Sequence, residues 1–92
     1  MITVRFEKSN NRIVAYDEEK NIGEATYSVS DNVWIIDHTF VDDAYRGQKI
    51  AERLVKEAVE SAKRENVKIV PLCPYAKHEF TNKPEYEVVW KK

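Results

Sequence analysis

The hydrophobic period of this chain changes once, near residue 42, and that change restricts the fold more than any other feature. Before it, apolar residues recur at every second position, the spacing of half-buried strands. After it, they recur every third or fourth position, the spacing of an amphipathic helix. With 92 residues, 42% hydrophobic, the chain has material for one thin-cored domain over residues 1–92.

Ile2, Val4 and Phe6 alternate with Thr3, Arg5 and Glu7, which predicts a first strand. Ser9-Asn10-Asn11 signals a turn, and Arg12–Tyr16 reads as the second strand. A polar loop, Asp17–Asn21, leads to a third strand over Ile22–Ser30. Asp31-Asn32 turns the chain into a fourth strand, Val33–Val41, apolar on both faces except at Asp37, His38 and Thr39. That composition predicts a central strand covered on both sides. The loop Val41–Gln48 precedes Ile50, Ala51, Leu54, Val55, Ala58, Val59 and Ala62, which share one helical face. Glu52–Lys56 and Glu60–Arg64 are expected to pair across the other face, and Asn66 to follow the helix C-terminus. Val67–Cys73 reads as a buried strand, Tyr75–Asn82 as a short helix and Tyr86–Trp90 as an apolar tail. Strand, helix, strand in that order implies a crossover. The expected class is α+β: a mixed sheet with an antiparallel four-strand meander, a helix crossover to a parallel strand, and a short C-terminal helix.

Composition narrows the function classes. Fifteen Lys and Arg against 16 Asp and Glu give a net charge of −1, which argues against a general nucleic-acid binder. The longest stretch without a charged residue, Ile69–Ala76, is far short of the ~18 a membrane span needs. A single Cys makes no internal disulfide, and the first ten residues show no signal-peptide pattern, so a cytoplasmic protein is expected. The spacing of His38, Cys73 and His78 fits no zinc-ligand pattern, so no metal site is expected.

Chemistry concentrates in a few places. Tyr45-Arg46-Gly47-Gln48-Lys49-Ile50-Ala51 lies between a strand and a helix and holds one of only two glycines. A helix N-terminus offers free N–H groups and a positive dipole end, and Arg46 and Lys49 add cations. The segment is either a pyrophosphate cradle or an ordinary strand–helix loop. Cys73, at the end of the last main strand, is either an active thiol or a small core residue. His38 interrupts an apolar strand as either a base or a satisfied sheet residue. Under strict alternation it shares a face with Trp34, Ile36 and Phe40, within reach of Cys73 if the two strands are neighbours. Tyr75 is either a proton donor or a packing aromatic. Asp42 and Asp43 read as a solvated turn or a cap.

Arg46-Gly47-Gln48-Lys49-Ile50-Ala51 resembles the Arg/Gln-x-x-Gly-x-Gly/Ala acetyl-CoA-binding motif of the Gcn5-related N-acetyltransferases. Arg46 matches its first position and Ala51 its last, while Lys49 stands where the family has Gly. With Asp37–Val41 (DHTFV) and Val70–Tyr75 (VPLCPY), the order of segments is similar to that of the compact YjdJ-type branch over nearly the whole chain. The resemblance implies acetyl transfer from acetyl-CoA to an amine. Two splayed parallel strands would take the pantetheine arm, with backbone groups at Phe40 and Val41 bonding it. The N–H groups of Arg46, Gly47, Gln48, Lys49, Ile50 and Ala51 would hold the pyrophosphate. Cys73, His38 and Tyr75 would lie near the thioester, with Tyr75 reprotonating the leaving thiolate. Helices that usually build the family's acceptor pocket are missing, so the amine site is expected to be open, and the protein to be a monomer or weak homo-oligomer. The alternative is a non-catalytic acyl-CoA-binding or protein-interaction module.

Overall fold

The computed structural model describes residues 1–92. Five strands form one sheet in chain order: β1 (Ile2–Glu7), β2 (Arg12–Asp17), β3 (Lys20–Ser30), β4 (Val33–Val41) and β5 (Lys68–Pro71). The first four pair antiparallel, and β5 joins β4 in parallel after the crossover helix α1 (Ile50–Glu65). A shorter helix, α2 (Pro74–Asn82), and a 3-10 segment at Pro84–Val89 complete the chain. The expected class and strand order are therefore the observed ones.

Local chemistry sets the boundaries. Asn66 follows α1 in the left-handed region at φ 58°, and its N–H and that of Val67 return to the last carbonyls of the helix. The expected loop at Asp17–Asn21 is tighter, because Asp17 pairs with Lys20 and Glu18 takes φ 56°. Asp42 caps the 3-10 turn Asp43–Tyr45 by accepting the Ala44 N–H at 2.9 Å. The expected pairs on α1 are replaced. Glu60 meets Lys63, Arg64 meets Glu57, and Glu52 is taken by the distant Lys83.

The helices cover a single face of the sheet. Ile13, Ala15, Ala25, Tyr27, Trp34, Ile36 and Ile69 meet Leu54, Val55, Ala58 and Val59 of α1 and Ala76 and Phe80 of α2 in one core. Burying each large apolar side chain contributes ~1.5–3 kcal/mol. The other face is open and polar, with Arg12 bridging Glu7 and Glu24, and Thr26 and Ser28 donating to Asp37. The expectation of a fourth strand covered on both sides is corrected accordingly. β4 lies one strand in from the β5 edge, its outer face is uncovered, and Phe40 is 53% exposed.

Two features of β4 position the site. Its contact with β5 stops early, at Ile36–Pro71. The Ile36 carbonyl then accepts both the Leu72 and the Cys73 N–H at 3.0 Å, and the chain turns into α2. β5 therefore ends before Cys73, while β4 runs on to Val41 paired only with β3, and β4 and β5 splay apart. The second feature is a bulge: Tyr27 pairs with Ile36 and Thr26 with His38, so Asp37 is an extra residue without a partner on β3.

Candidate active site

The splay opens into a cleft of about 550 Å³ lined by Thr39, Phe40 and Val41 of β4, Tyr45, Arg46 and Gly47 of the loop, Lys49, Ile50, Ala51 and Glu52 at the start of α1, and Tyr75 of α2. Seven of the eight residues expected to hold a cofactor line it. The eighth, Gln48, faces an adjoining groove along α1.

The floor of the cleft is a free helix end. The first hydrogen bond of α1 runs from the Arg53 N–H to the Lys49 carbonyl, so the N–H groups of Ile50, Ala51 and Glu52 have no acceptor within the helix. No side chain caps this end. Gly47 has φ +88°, yet a Cβ placed there would meet nothing within 4 Å. Glycine serves its dihedral angle rather than close approach. Lys49 has φ 60° and ψ 30°, the left-handed conformation in which a non-glycine residue is strained. The side chain of Arg46 pairs with Asp43 at 2.7 Å, and both are largely exposed. Such a pair contributes ~0–1 kcal/mol and releases readily to a stronger anion. Free N–H groups, a positive dipole end and two nearby cations form a donor set suited to a phosphoanhydride. The splayed strand edge suits an extended amide-bearing arm.

Bulging at Asp37 changes the side-chain assignment on β4. Beyond it, Thr39 stands opposite buried Ala25 on the core face, while His38 and Phe40 turn outward. The expectation that His38 shares a face with Trp34 and Ile36 and meets Cys73 is corrected: the inserted residue reverses the alternation. Thr39 takes that place, with Oγ1 3.6 Å from Cys73 Sγ. Cys73 itself is 7% exposed and does not line the cleft. Its sulfur caps α2 by accepting the Ala76 N–H at 3.4 Å.

Tyr75 is half-buried in the cleft wall, and its phenol is pushed up to about 12, first by burial and then by the charges of Glu79 and Glu52. It keeps its proton across the physiological range. Behind it, Lys83 Nζ bridges Glu52 Oε1 at 2.7 Å and Glu79 Oε1 at 3.2 Å. Sequence reasoning missed Thr39, Glu52, Glu79 and Lys83 as parts of the site. Glu52 looked like an ordinary solvent-face residue, and nothing local in the chain points from Lys83 back to the first turn of α1. His78, three residues after Tyr75, is exposed and bonded to Asn82. No helix is long and apolar enough to cross a membrane.

A family model described as GCN5-related N-acetyl-transferase matches residues 12–89, and the chain belongs to that family. The solution structure of a GCN5-like protein from Staphylococcus aureus is 33% identical over 97% of this chain and 87% of that one, with a TM-score of 0.74. Longer structures share the fold at lower identity. The PaiA N-acetyltransferase of Thermoplasma acidophilum, solved with coenzyme A, is 20% identical over 61% of this chain and 35% of its own, with a TM-score of 0.56. A streptothricin acetyltransferase-like protein of Bacillus anthracis, solved with acetyl coenzyme A, is 22% identical over 83% of this chain and 45% of its own, with a TM-score of 0.57. No curated protein matches the sequence.

Proposed function

We propose that this protein binds acetyl coenzyme A in the β4/β5 cleft and transfers the acetyl group to an amine that arrives on the open face of the sheet. One observation carries the reading: strands that part at Ile36 open directly onto the uncapped N-terminus of α1, within a single cleft. Family membership and the neighbours solved with coenzyme A or acetyl coenzyme A support it.

The N–H groups of Ile50, Ala51 and Glu52, with Gly47, Arg46 and Lys49, hold the pyrophosphate. Backbone along Thr39, Phe40 and Val41 holds the pantetheine arm. Acetyl coenzyme A, when bound, supplies a thioester as the acetyl donor. His38, outward-facing and exposed just beyond the last β4–β5 contact, takes the proton that an ammonium must shed before it can react. Tyr75, protonated at neutral pH, donates a hydrogen bond into the cleft. Cys73 positions Thr39 and the start of α2 from behind rather than reacting itself. β1 connects to β2 through the short turn at Lys8–Asn11, so no helix closes the outer face, which suits a large or flexible acceptor.

The non-catalytic binding reading draws on the same open face. The test is a thermal shift with ~1 mM acetyl coenzyme A beside Arg46→Ala, since ligand at 100 times its Kd stabilises by ~2.7 kcal/mol. The expected result is a shift of several degrees that Arg46→Ala diminishes. No shift in the wild type overturns the reading. A shift without turnover in an amine panel favours the binding module.

A further inference from the structure

A second cavity of about 490 Å³ runs along α1, and the proposed function gives it no role. It meets the cleft at Lys49 and Glu52, which line both. Its walls carry five Lys or Arg against three Glu, a cationic surplus on a chain whose net charge is −1. Ion pairs concentrate that surplus. Glu52 takes Lys83 at 2.7 Å, and Glu60 takes Lys63 at 3.2 Å. Lys49, Arg53 and Lys56 are left against Glu85, and all four are exposed. Glu85 belongs to the 3-10 segment rather than to α1. Arg53 donates one N–H to the Ile2 carbonyl at 3.3 Å, while the exposed Lys56 ammonium pairs with no carboxylate. Arg53 and Lys56 are three residues apart and share one stripe of the helix. Helical side chains lean toward the N-terminus, so both reach back toward the free N–H groups at the start of α1.

We infer that this groove is a phosphomonoester site that reads the 3′-phosphate of coenzyme A, with Lys56 and Arg53 as the residues that distinguish the coenzyme from its dephosphorylated form. The inference rests on the proposed binding of the pyrophosphate at the start of α1. In coenzyme A the ribose that bears the 3′-phosphate joins the pyrophosphate through its own 5′ carbon. A groove that continues from the pyrophosphate site therefore receives the second anion next. A phosphomonoester is close to a dianion at neutral pH, since its second pKa is ~6. Lys56 and Arg53 offer it charge that no carboxylate of the groove has already neutralised. These contacts are exposed, so they are individually modest and weaken with salt.

The test compares coenzyme A with 3′-dephospho-coenzyme A by calorimetry on the full-length protein, at low and at physiological salt. Wild type should bind coenzyme A roughly five- to tenfold more tightly at low salt, and the preference should shrink as salt rises. Lys56→Gln should cut the preference by about half or more, weakening coenzyme A while holding dephospho-coenzyme A within about twofold. Lys56→Arg, which keeps the charge, should keep the preference. Arg53→Gln/Lys56→Gln should bring the two affinities within about twofold of each other. Lys77→Gln removes an exposed lysine of α2 that lines neither cavity and should change nothing. Equal wild-type affinities for the two coenzymes overturn this inference and leave the cleft reading standing. So does a Lys56→Gln protein that keeps the full preference, or one that weakens both coenzymes alike, because the lysine then acts on the pyrophosphate they share. No binding of either coenzyme overturns the functional reading beneath it.

Discussion

Thr39 Oγ1 lies 3.6 Å from Cys73 Sγ, across the point where β4 and β5 separate. The contact exists because Asp37 is an inserted residue that swings Thr39 inward and His38 outward. It gives Cys73 two neighbours, the Thr39 hydroxyl and the Ala76 N–H, and leaves His38 on the opposite face.

Substitutions at these positions should therefore separate. Cys73→Ala removes the cap of α2 and should destabilise by ~1 kcal/mol, within the ~0.5–2 range of lost N-caps. Cys73→Ser, a stronger capping residue, should recover most of this. His38→Ala changes an exposed side chain and should stay within ~0.5 kcal/mol in urea unfolding while lowering acetyl transfer and sparing coenzyme affinity. The buried thiol should react slowly with a disulfide reagent until the chain unfolds. Equal stability losses for Cys73→Ala and His38→Ala would contradict this division.

Lys49 makes a different prediction, because its backbone and its side chain act on different quantities. At φ 60° a non-glycine residue is strained by ~1–2 kcal/mol. Glycine relieves that strain but gives back ~0.4–1 kcal/mol through the greater freedom of the unfolded chain. Lys49→Gly should therefore be neutral to slightly stabilising in thermal unfolding, and Lys49→Ala should gain nothing. Both lose the cation beside the proposed pyrophosphate site, so both should weaken coenzyme binding several-fold at low salt and less at high salt. A loss of affinity in Lys49→Gly alone would place the effect in the backbone rather than the charge.

Lys49 also shows what the sequence could reveal. The cleft loop and the uncapped helix start it leads into are written in consecutive residues, Arg46 to Ala51, so their location can be read directly. The strand order followed from alternation and one change of period. The bulge at Asp37 could not be read in this way. VWIIDHTFV fits an unbroken strand, and only the register against β3 shows that one residue is extra. Strict alternation consequently puts His38 on the wrong face. The Glu52–Lys83–Glu79 bridge was hidden for another reason: it joins residues 31 positions apart. Nothing in the local pattern of α1 distinguishes Glu52 from Glu60, which does take a partner on its own helix.

The Tyr45 hydroxyl donates to Asp17 Oδ2, tying the cleft loop to the end of β2. That hydrogen bond holds the Asp17 carboxyl below its ordinary range and raises the Tyr45 phenol. A lowered carboxyl adds stability that is complete above its unfolded value, near ~3.9, and lost as pH falls through the folded one. A raised phenol adds stability that is complete below its unfolded value, near ~10, and lost as pH rises through the folded one. Tyr45→Phe should thus flatten both limbs of a plot of urea midpoint against pH. Glu7, lowered by the Tyr16 hydroxyl and then by Arg12, keeps part of the acid limb in that variant. An acid limb of unchanged slope would mean the Tyr45–Asp17 bond does not form in solution.

Lys83 predicts an electrostatic rescue. Glu52 sits in the first turn of α1, where a carboxylate favours the helix dipole but repels an incoming pyrophosphate. In the native protein the Lys83 ammonium, 2.7 Å away, neutralises it, and this contact holds the Glu52 carboxyl below its usual range. Lys83→Met leaves the charge exposed to the coenzyme site. Two like charges some 6 Å apart at a protein surface repel by ~1–3 kcal/mol before salt screening, and screening at physiological ionic strength trims this further. Coenzyme affinity in Lys83→Met should therefore fall roughly three- to tenfold at low salt. The double variant Glu52→Gln/Lys83→Met has no such charge and should bind within about twofold of wild type, although it lacks the bridge altogether. Calorimetry on the four proteins of this cycle gives the coupling directly. If the double variant binds as weakly as Lys83→Met, the bridge acts through packing of α2 against α1, and neutralisation of Glu52 is not what Lys83 contributes to binding.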